Sequence, residues 1–252
     1  MLALNNVVKS FGGLRAVNGV SAQIQAGEII GLIGPNGAGK TTLFNLITGA
    51  TIADKGTIHF ANTEVTRMPP DQRCRLGIAR TFQLVRIFPD LTALENVCVG
   101  SIYGRRAEVG TLQRLFGGNL RQQEAHAQHV LESVGLRDKA HLEAKHLTLV
   151  DRKRVELARA LATNPKLLLL DELLAGLNPS EVVIAIELIR NIRSRGVTVL
   201  MVEHIVSAIF SLADRVLCMA VGEKIAEGLP VEIASNQAVI DAYLGEEHAN
   251  DA

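Results

Sequence analysis

The residues best suited to chemistry lie in one short segment that combines glycines with a lysine and a pair of threonines. The segment fits the phosphate-loop pattern G-x-x-x-x-G-K-[ST] and consists of Gly34, Pro35, Asn36, Gly37, Ala38, Gly39, Lys40, Thr41 and Thr42. Glycines let backbone N–H groups curl around phosphate oxygens, the lysine reaches the terminal phosphates, and the first threonine hydroxyl can ligate magnesium. The segment therefore predicts that the chain binds a nucleoside triphosphate.

The residues on either side of this loop fit the motif. Residues 28–33 are mostly apolar and predict a short strand, whereas the apolar residues of 43–47 fall at helical spacing until Gly49, which can end a helix. The alternative is a glycine-rich turn before an ordinary helix. A strand, a loop and a helix in this order favour the phosphate loop.

Two adjacent carboxylates follow a run of four leucines. The run predicts a buried strand, and open α/β sheets bind their ligands at the carboxyl ends of such strands. We expect Asp171 to hold magnesium and Glu172 to orient and deprotonate a water that attacks the γ-phosphate. Two solvated acids at a strand end are the alternative.

Three further side chains could contribute to such a site. His204 follows the predicted strand 197–202 and could hydrogen-bond the γ-phosphate as a sensor. Gln83 could ligate magnesium or water. Phe11 could stack on a nucleotide base, although on its own a phenylalanine near a glycine pair favours a place in the core.

The hydrophobic patterns predict an α/β fold with a phosphate-loop (RecA-like) core, an N-terminal antiparallel β part and an inserted helical subdomain. We expect one domain over residues 1–252, with the core in 1–89 and 164–245, the helical subdomain in 90–163 and a polar tail in 246–252. Within the subdomain, residues 104–118 carry Arg105, Arg106 and Arg114 and predict an exposed loop or broken helix.

Composition narrows the class of protein. Lys+Arg and Asp+Glu number 26 each, so no global basic field favours nucleic acid as a partner. The three cysteines lack the spacing of a metal site and are typical of reduced thiols. No N-terminal targeting pattern and no apolar stretch of about 18 residues occurs, so a membrane role would require partner subunits.

Taken in order, these motifs resemble the ATPase subunits of ATP-binding-cassette transporters over nearly the whole chain. The resemblance is strongest to the branched-chain amino acid importers, and it is carried by the segments 77–83, 91–97, 175–179 and 239–246. It implies that ATP and Mg²⁺ are bound, that Phe11 stacks on adenine and that Val17 lies against the ribose. It also implies that Gln83 joins the core to the helical subdomain, that Glu172 is the catalytic glutamate and that His204 is the switch histidine.

The resemblance also implies partners and a location. We expect integral-membrane permease subunits, a second ATPase subunit and, indirectly, an extracytoplasmic solute-binding protein, with this chain peripheral on the cytoplasmic face of the inner membrane. An ATPase for urea or amide import, or for lipid or lipopolysaccharide extraction, would use the same residues. A regulatory protein that binds ATP with little turnover is a further alternative.

One segment departs from the family. Where the family has the signature Leu-Ser-Gly-Gly-Gln, this chain has Leu147-Thr148-Leu149-Val150-Asp151. We expect Thr148 to cap the following helix and help bind nucleotide, and Asp151 to repel the γ-phosphate of a partner, with Arg152 or Lys153 offsetting the repulsion. Smaller departures are Leu173 in place of a proline and Asn178 in place of an aspartate. The altered signature favours a heterodimer with a paralogous ATPase over a homodimer.

Overall fold

The computed structural model describes residues 1–104 and 120–250. The chain forms two compact units: unit 1 is Met1–Arg73 together with the chain from Ile189 onward, and unit 2 is Cys74–Leu188. The boundaries predicted from the sequence differ from these and stay a prediction. Residues 105–118 of the predicted arginine-containing loop lie outside the described residues.

The strands in chain order are β1 (Leu2–Phe11), β2 (Leu14–Ile24), β3 (Ile29–Ile33), β4 (Lys55–Phe60), β5 (Thr63–Glu64), β6 (Ile78–Arg80), β7 (Leu167–Asp171), β8 (Thr198–Val202), β9 (Arg215–Ala220) and β10 (Glu223–Gly228). The α-helices are α1 (Lys40–Thr48), α2 (Pro70–Leu76), α3 (Ala93–Tyr103), α4 (Leu120–Ser133), α5 (Leu149–Ala162), α6 (Pro179–Ser194), α7 (Val206–Leu212), α8 (Pro230–Ala234) and α9 (Gln237–Asn250). Short 3₁₀ turns cover Arg137–Lys139 and Ala144–His146.

Unit 1 contains an antiparallel sheet in the order β2-β1-β4-β5, which confirms the predicted N-terminal β part. A second set of strands has the order β10-β9-β3-β8. In it β3 pairs in parallel with both β8 and β9, and β10 closes the edge in the antiparallel sense. Every residue of β3 and β8 is buried, as expected for apolar strands covered on both faces.

Unit 2 pairs β6 in parallel with β7 and adds a helical layer. Thr92 and Glu95 form a capping box at the start of α3. The apolar faces of α3, α4 and α5 form one core, whose fully buried members include Ala93, Val97, Ala127, Leu131, Val155 and Ala158. The α/β fold class predicted from the sequence is confirmed by the parallel strands of both units.

Several elements differ from the sequence predictions. The patterns did not indicate α2, β6 or β10, each of which is short or lacks a clear apolar period. The predicted polar tail begins within a helix, since α9 continues to Asn250. No helix among the described residues is long and apolar enough to span a bilayer.

A buried arginine ties α1 to the following segment. Arg73 has no exposed surface, and its guanidinium donates to the carbonyl oxygens of Leu46 (2.6 Å), Ile47 (2.8 Å), Thr66 (3.0 Å) and Met68 (2.8 Å). Burial lowers the pKa of Arg73 to about 10, so the group remains cationic at neutral pH. Because the last carbonyls of a helix carry partial negative charge, this cation stabilises the carboxyl end of α1.

We expect Arg73→Met to lower the free energy of unfolding by about 3 kcal/mol, because it leaves four buried carbonyl oxygens without these donors. Urea denaturation followed by circular dichroism measures the change. The control is Arg67→Met, since Arg67 is exposed, and we expect it to cost less than about 0.5 kcal/mol. Equal effects of the two variants would contradict the proposed role of Arg73.

Candidate functional site

The phosphate loop lies between β3 and α1, as predicted, and its glycines are required by space as well as by backbone angle. Gly34, Gly37 and Gly39 have φ values of 147°, 75° and 98°, which side-chain-bearing residues rarely adopt. A Cβ on Gly34 would lie 2.1 Å from the carbonyl oxygen of Met219, and one on Gly39 would lie 2.2 Å from that of Ala16. Only glycine fits at these two positions.

The loop presents a positive charge and the amino end of a helix to an anion. Gly39 is the N-cap of α1 and makes no side-chain capping bond, and the first turn of the helix contains no acidic residue. Lys40 Nζ donates to the carbonyl oxygens of Gly34 (2.5 Å) and Pro35 (2.8 Å), while the Thr41 side chain is exposed. This arrangement suits the phosphates of a nucleotide.

The β1–β2 hairpin carries the two residues that the resemblance assigns to the base and the ribose. Phe11 is 52 % exposed, so it does not belong to the core, and Lys9 Nζ lies 5.4 Å from the centre of its ring. Val17, in contrast, is fully buried. The structure therefore gives no support to a contact between Val17 and ribose, whereas it leaves Phe11 open to an adenine ring.

His204 reaches the same edge of the sheet as the phosphate loop. In the parallel pairing of β3 with β8, Leu32 lies opposite Val202. Gly34 lies two residues after Leu32, and His204 lies two residues after Val202, so both follow the same end of the paired strands. His204 is exposed. The sensor role of His204 stays a prediction.

In unit 2, Asp171 is the last residue of the buried strand β7 and makes contacts that the sequence did not indicate. Its Oδ2 atom lies 2.6 Å from Arg80 Nη2, and both side chains are almost completely buried. The Asp171 N–H donates to the Thr81 hydroxyl at 3.2 Å. Because β6 and β7 are parallel, Arg80 and Asp171 emerge at the same end of the pair.

Glu172 and Gln83 are brought together, as a shared role requires. Gln83 Nε2 donates to Glu172 Oε2 at 2.9 Å. The backbone of Glu172 has a φ of 51°, a left-handed conformation that costs a non-glycine residue about 1 kcal/mol or more. Strained backbone of this kind is frequent at functional sites.

A lysine from α5 holds the strained turn. Lys153 is buried, and its ammonium group donates to the carbonyl oxygens of Glu172 (3.1 Å), Leu173 (2.9 Å) and Ala175 (2.6 Å). Three carbonyl oxygens converge on one cation, so the turn keeps its shape against the backbone strain. Sequence reasoning assigned Lys153 a different role.

From about one turn further along, α5 also holds the segment that contains Gln83. Glu156 Oε1 accepts from the Arg86 N–H at 2.9 Å, and Arg159 donates to the Arg86 carbonyl oxygen. Burial raises the pKa of Glu156 and lowers that of Arg159, while the ion pair between them opposes both shifts. The end of the segment is held by the buried Asn96 side chain, which accepts from the Phe88 N–H and donates to the Phe88 carbonyl oxygen.

The altered signature segment begins α5 as predicted. Thr148 is the N-cap, and its hydroxyl accepts from the Asp151 N–H at 3.2 Å, so the exposed helix end is retained. Asn178 and Glu181 cap the start of α6 reciprocally, which gives the asparagine at this position a local structural role.

Asp151 is paired with cations of its own unit, whereas its repulsion of a partner's γ-phosphate stays a prediction. Its side chain is buried, and Oδ2 accepts from Lys139 Nζ (2.5 Å) and from the Thr148 hydroxyl (2.9 Å). Arg154 adds a second cation at 3.9 Å from Oδ1. The carboxylate is therefore neutralised within its own unit, by Lys139 and Arg154.

The two cations expected to offset Asp151 are engaged elsewhere. Arg152 donates to the carbonyl oxygens of Ala144 (3.1 Å) and Lys145 (2.6 Å), and Lys153 donates to the turn at Glu172. The ion pair with Lys139 was not predicted, because Lys139 lies twelve residues before Asp151 in the chain. Arg154, three residues after Asp151, could have been recognised from its helical spacing.

Comparison with known proteins identifies the family. Residues 17–175 match the family described as ABC transporter, and residues 223–249 match the one described as branched-chain amino acid ATP-binding cassette transporter. The high-affinity branched-chain amino acid transport ATP-binding protein LivG of Salmonella typhimurium is 41 % identical, with 98 % of each chain covered.

Two further similarities extend over the whole chain. The lipopolysaccharide export system ATP-binding protein LptB of Escherichia coli is 35 % identical, with 98 % of each chain covered. The crystal structure of the ADP conformation of MJ1267, an ATP-binding cassette of an ABC transporter, is 33 % identical and has a TM-score of 0.85, with 97 % of this chain and 98 % of that chain covered. The protein therefore belongs to the ATP-binding-cassette transporter family, as one of its ATPases.

Proposed function

We propose that this ATPase powers a membrane importer of branched-chain amino acids. The observation that carries the proposal is the match of residues 223–249 to the branched-chain amino acid family, together with the similarity to LivG. That segment forms β10, α8 and most of α9, none of which belongs to the phosphate loop. The match therefore adds information on the subgroup that the nucleotide-binding motifs do not contain.

The proposed chemistry assigns one role to each group. The loop amides and Lys40 bind the phosphates, and the exposed ring of Phe11 stacks on adenine. Glu172 accepts a proton from a water whose oxygen bonds to the γ-phosphorus, while the bond from phosphorus to the β-bridging oxygen breaks and ADP leaves. Gln83 holds the Glu172 carboxylate, and His204 senses the γ-phosphate.

The proposed donors fit magnesium. Thr41 offers an exposed hydroxyl, Asp171 a carboxylate at a strand end and Gln83 an amide oxygen, all of them the hard oxygen ligands that Mg²⁺ prefers. When bound, the ion would neutralise charge on the phosphate oxygens. Among the described residues, no group of three or more His, Cys, Asp or Glu could hold a metal ion.

The proposal includes partners and a location. Members of this family act in transporter complexes, and we propose that this chain docks on permease subunits at the cytoplasmic face of the inner membrane. A solute-binding protein outside the membrane would deliver the amino acid. A second ATPase would complete the phosphate loop of this chain with its own signature segment.

We further propose that the second ATPase is a different chain. The glycines of the signature are replaced here by Leu149 and Val150, and the exposed Leu149 side chain lies at the start of α5, where the family places a partner's γ-phosphate. This end of α5 would serve a partner's nucleotide less well than an intact signature. A homodimer would have two such weakened sites.

A second candidate function rests on the similarity to LptB, which is a lipopolysaccharide export protein. Extraction of a lipid would use the same hydrolysis. Import of urea or amides, and a regulatory role with little turnover, also stay as alternatives. The transported solute and the measured turnover separate these functions.

Uptake by whole cells tests the substrate. Deletion of the gene should lower uptake of labelled leucine, isoleucine and valine, and the intact gene should restore it. Lys40→Ala should fail to restore uptake, because a phosphate-binding cation is lost. Unchanged uptake of all three amino acids, with a loss of labelled urea uptake or of lipid export instead, would replace the proposed substrate.

The assignment of Phe11 is tested by two ligands that differ only in the nucleoside. Phe11→Ala should weaken ATP binding by about 1 kcal/mol or more and leave tripolyphosphate binding unchanged, since stacking involves the base. Isothermal titration measures both affinities. The control is Leu14→Ala in the same hairpin, a residue that is 70 % exposed. Equal weakening of both ligands would argue against stacking.

The proposed difference in activity between the two nucleotide sites is tested in the purified pair of ATPases. Glu172→Gln in this chain should lower turnover at least about 100-fold, because it removes the general base from the better site. The equivalent change in the partner should cause a much smaller loss. Glu132→Gln, which alters an exposed carboxylate of unit 2, is the control. Equal losses from the two glutamate variants would refute the asymmetry.

A further inference from the structure

A tyrosine near the end of the chain contacts the phosphate loop. Tyr243 lies on α9, and its half-buried side chain places the hydroxyl oxygen 2.9 Å from the Gly34 amide nitrogen, which donates to it. The two residues are separated by 209 positions in the chain. The site residues inferred from the sequence do not include Tyr243.

With this contact, both the N–H and the carbonyl oxygen of Gly34 are hydrogen-bonded to side chains. Tyr243 holds the peptide group before Gly34, and Lys40 Nζ holds the carbonyl oxygen after it at 2.5 Å. Between them Gly34 has a φ of 147°, which few residues other than glycine can adopt. Two side chains therefore hold the first residue of the loop in an uncommon conformation.

The two contacts respond differently to a nucleotide. Lys40 is the group that the phosphates attract, so its ammonium must divide its hydrogen bonds between the loop carbonyls and the ligand. Tyr243 contacts a peptide N–H at the start of the loop and does not compete with the ligand for Lys40. The tyrosine can thus keep the loop in place while the lysine turns towards the phosphates.

The rest of α9 holds the tyrosine at a defined position. Asn236 caps the helix through its side-chain oxygen and the Val239 N–H (3.3 Å), and Val239 is buried. Gln237 donates to Asp241 at 2.8 Å on the following turn. Tyr243 lies one turn beyond Val239 on this anchored helix.

We propose that Tyr243 is a positioning residue of the phosphate loop, through which the C-terminal helix sets the affinity of the site for triphosphate. The loop is held in its binding conformation before the ligand arrives, so less ordering is required on binding. This inference rests on nucleotide binding by the loop and is independent of the solute transported. Failure of the uptake experiment would leave it intact.

The test compares Tyr243→Phe with Tyr103→Phe in the full chain. These are the only two tyrosines in the sequence, and Tyr103 is 69 % exposed, so the second variant is a matched control. We expect Tyr243→Phe to weaken binding of ATP and of tripolyphosphate by the same factor, about two- to tenfold, as for the loss of one neutral hydrogen bond. Isothermal titration measures both, and Tyr103→Phe should change neither.

The choice of ligands separates positioning from other effects. Equal weakening of ATP and tripolyphosphate, with turnover at saturating ATP little changed, supports the proposal. A lower melting temperature with unchanged affinities would show a structural role only and would overturn it. Weakening of ATP alone would also overturn it, because the effect would then involve the nucleoside.

A second measurement keeps a tyrosine at position 243 and so does not require the Tyr243→Phe variant to fold. Incorporation of 3-fluorotyrosine gives two fluorine resonances, and Tyr103→Phe assigns them by removing one. Coupling between two sites is reciprocal, so tripolyphosphate should shift the resonance of Tyr243 and leave that of Tyr103 unmoved. A Tyr243 resonance that does not respond to saturating tripolyphosphate would refute the proposal.

Discussion

The constraint on which unit 1 depends is the close approach of two glycines of the phosphate loop to the backbone of neighbouring strands. The α-carbon of Gly34 faces the carbonyl of Met219 in β9, and that of Gly39 faces the carbonyl of Ala16 in β2, with no room for a Cβ at either place. The two strands belong to the two different sheets of the unit. The antiparallel β part is thus one of the two walls of the phosphate loop, and a displacement of either sheet would alter the shape of the anion site.

Unit 2 is organised around α5 in a comparable way. Along one helix, Thr148 caps the amino end, Lys153 binds the turn that contains Glu172, and Glu156 with Arg159 binds the segment that follows Gln83. Lys153, Glu156 and Arg159 follow one another at intervals of three residues, so their attachments share a side of the helix. A rotation or shift of α5 would therefore move Glu172 and the Gln83 segment together. This gives the signature helix a structural link, within its own chain, to two residues that we propose to take part in hydrolysis.

The sequence predicted the parts of the fold and site that depend on local patterns. Strand β3, the loop and α1 follow from apolar runs and glycines within about twenty residues, and Thr148 was recognised as a cap from its neighbours. The hydrogen bonds of Arg73 and Lys153 could not be predicted, because their partners are backbone carbonyls, which every residue has. The same holds for Tyr243, whose partner is a backbone N–H at the other end of the chain.

The ion pair between Asp151 and Lys139 joins two side chains that differ in their access to water. Its side chain is 7 % exposed, whereas that of Lys139 is 44 % exposed. A lysine at 139 is tolerated without the aspartate, since water can solvate it, but an aspartate at 151 without the lysine would be a poorly compensated buried charge. The carboxylate at 151 therefore depends on its neighbouring cations more than the lysine at 139 depends on the carboxylate. Replacing Asp151 by the glutamine of the family signature would leave Lys139 to water and would require no second change, whereas replacing Lys139 would leave a buried carboxylate short of a cation.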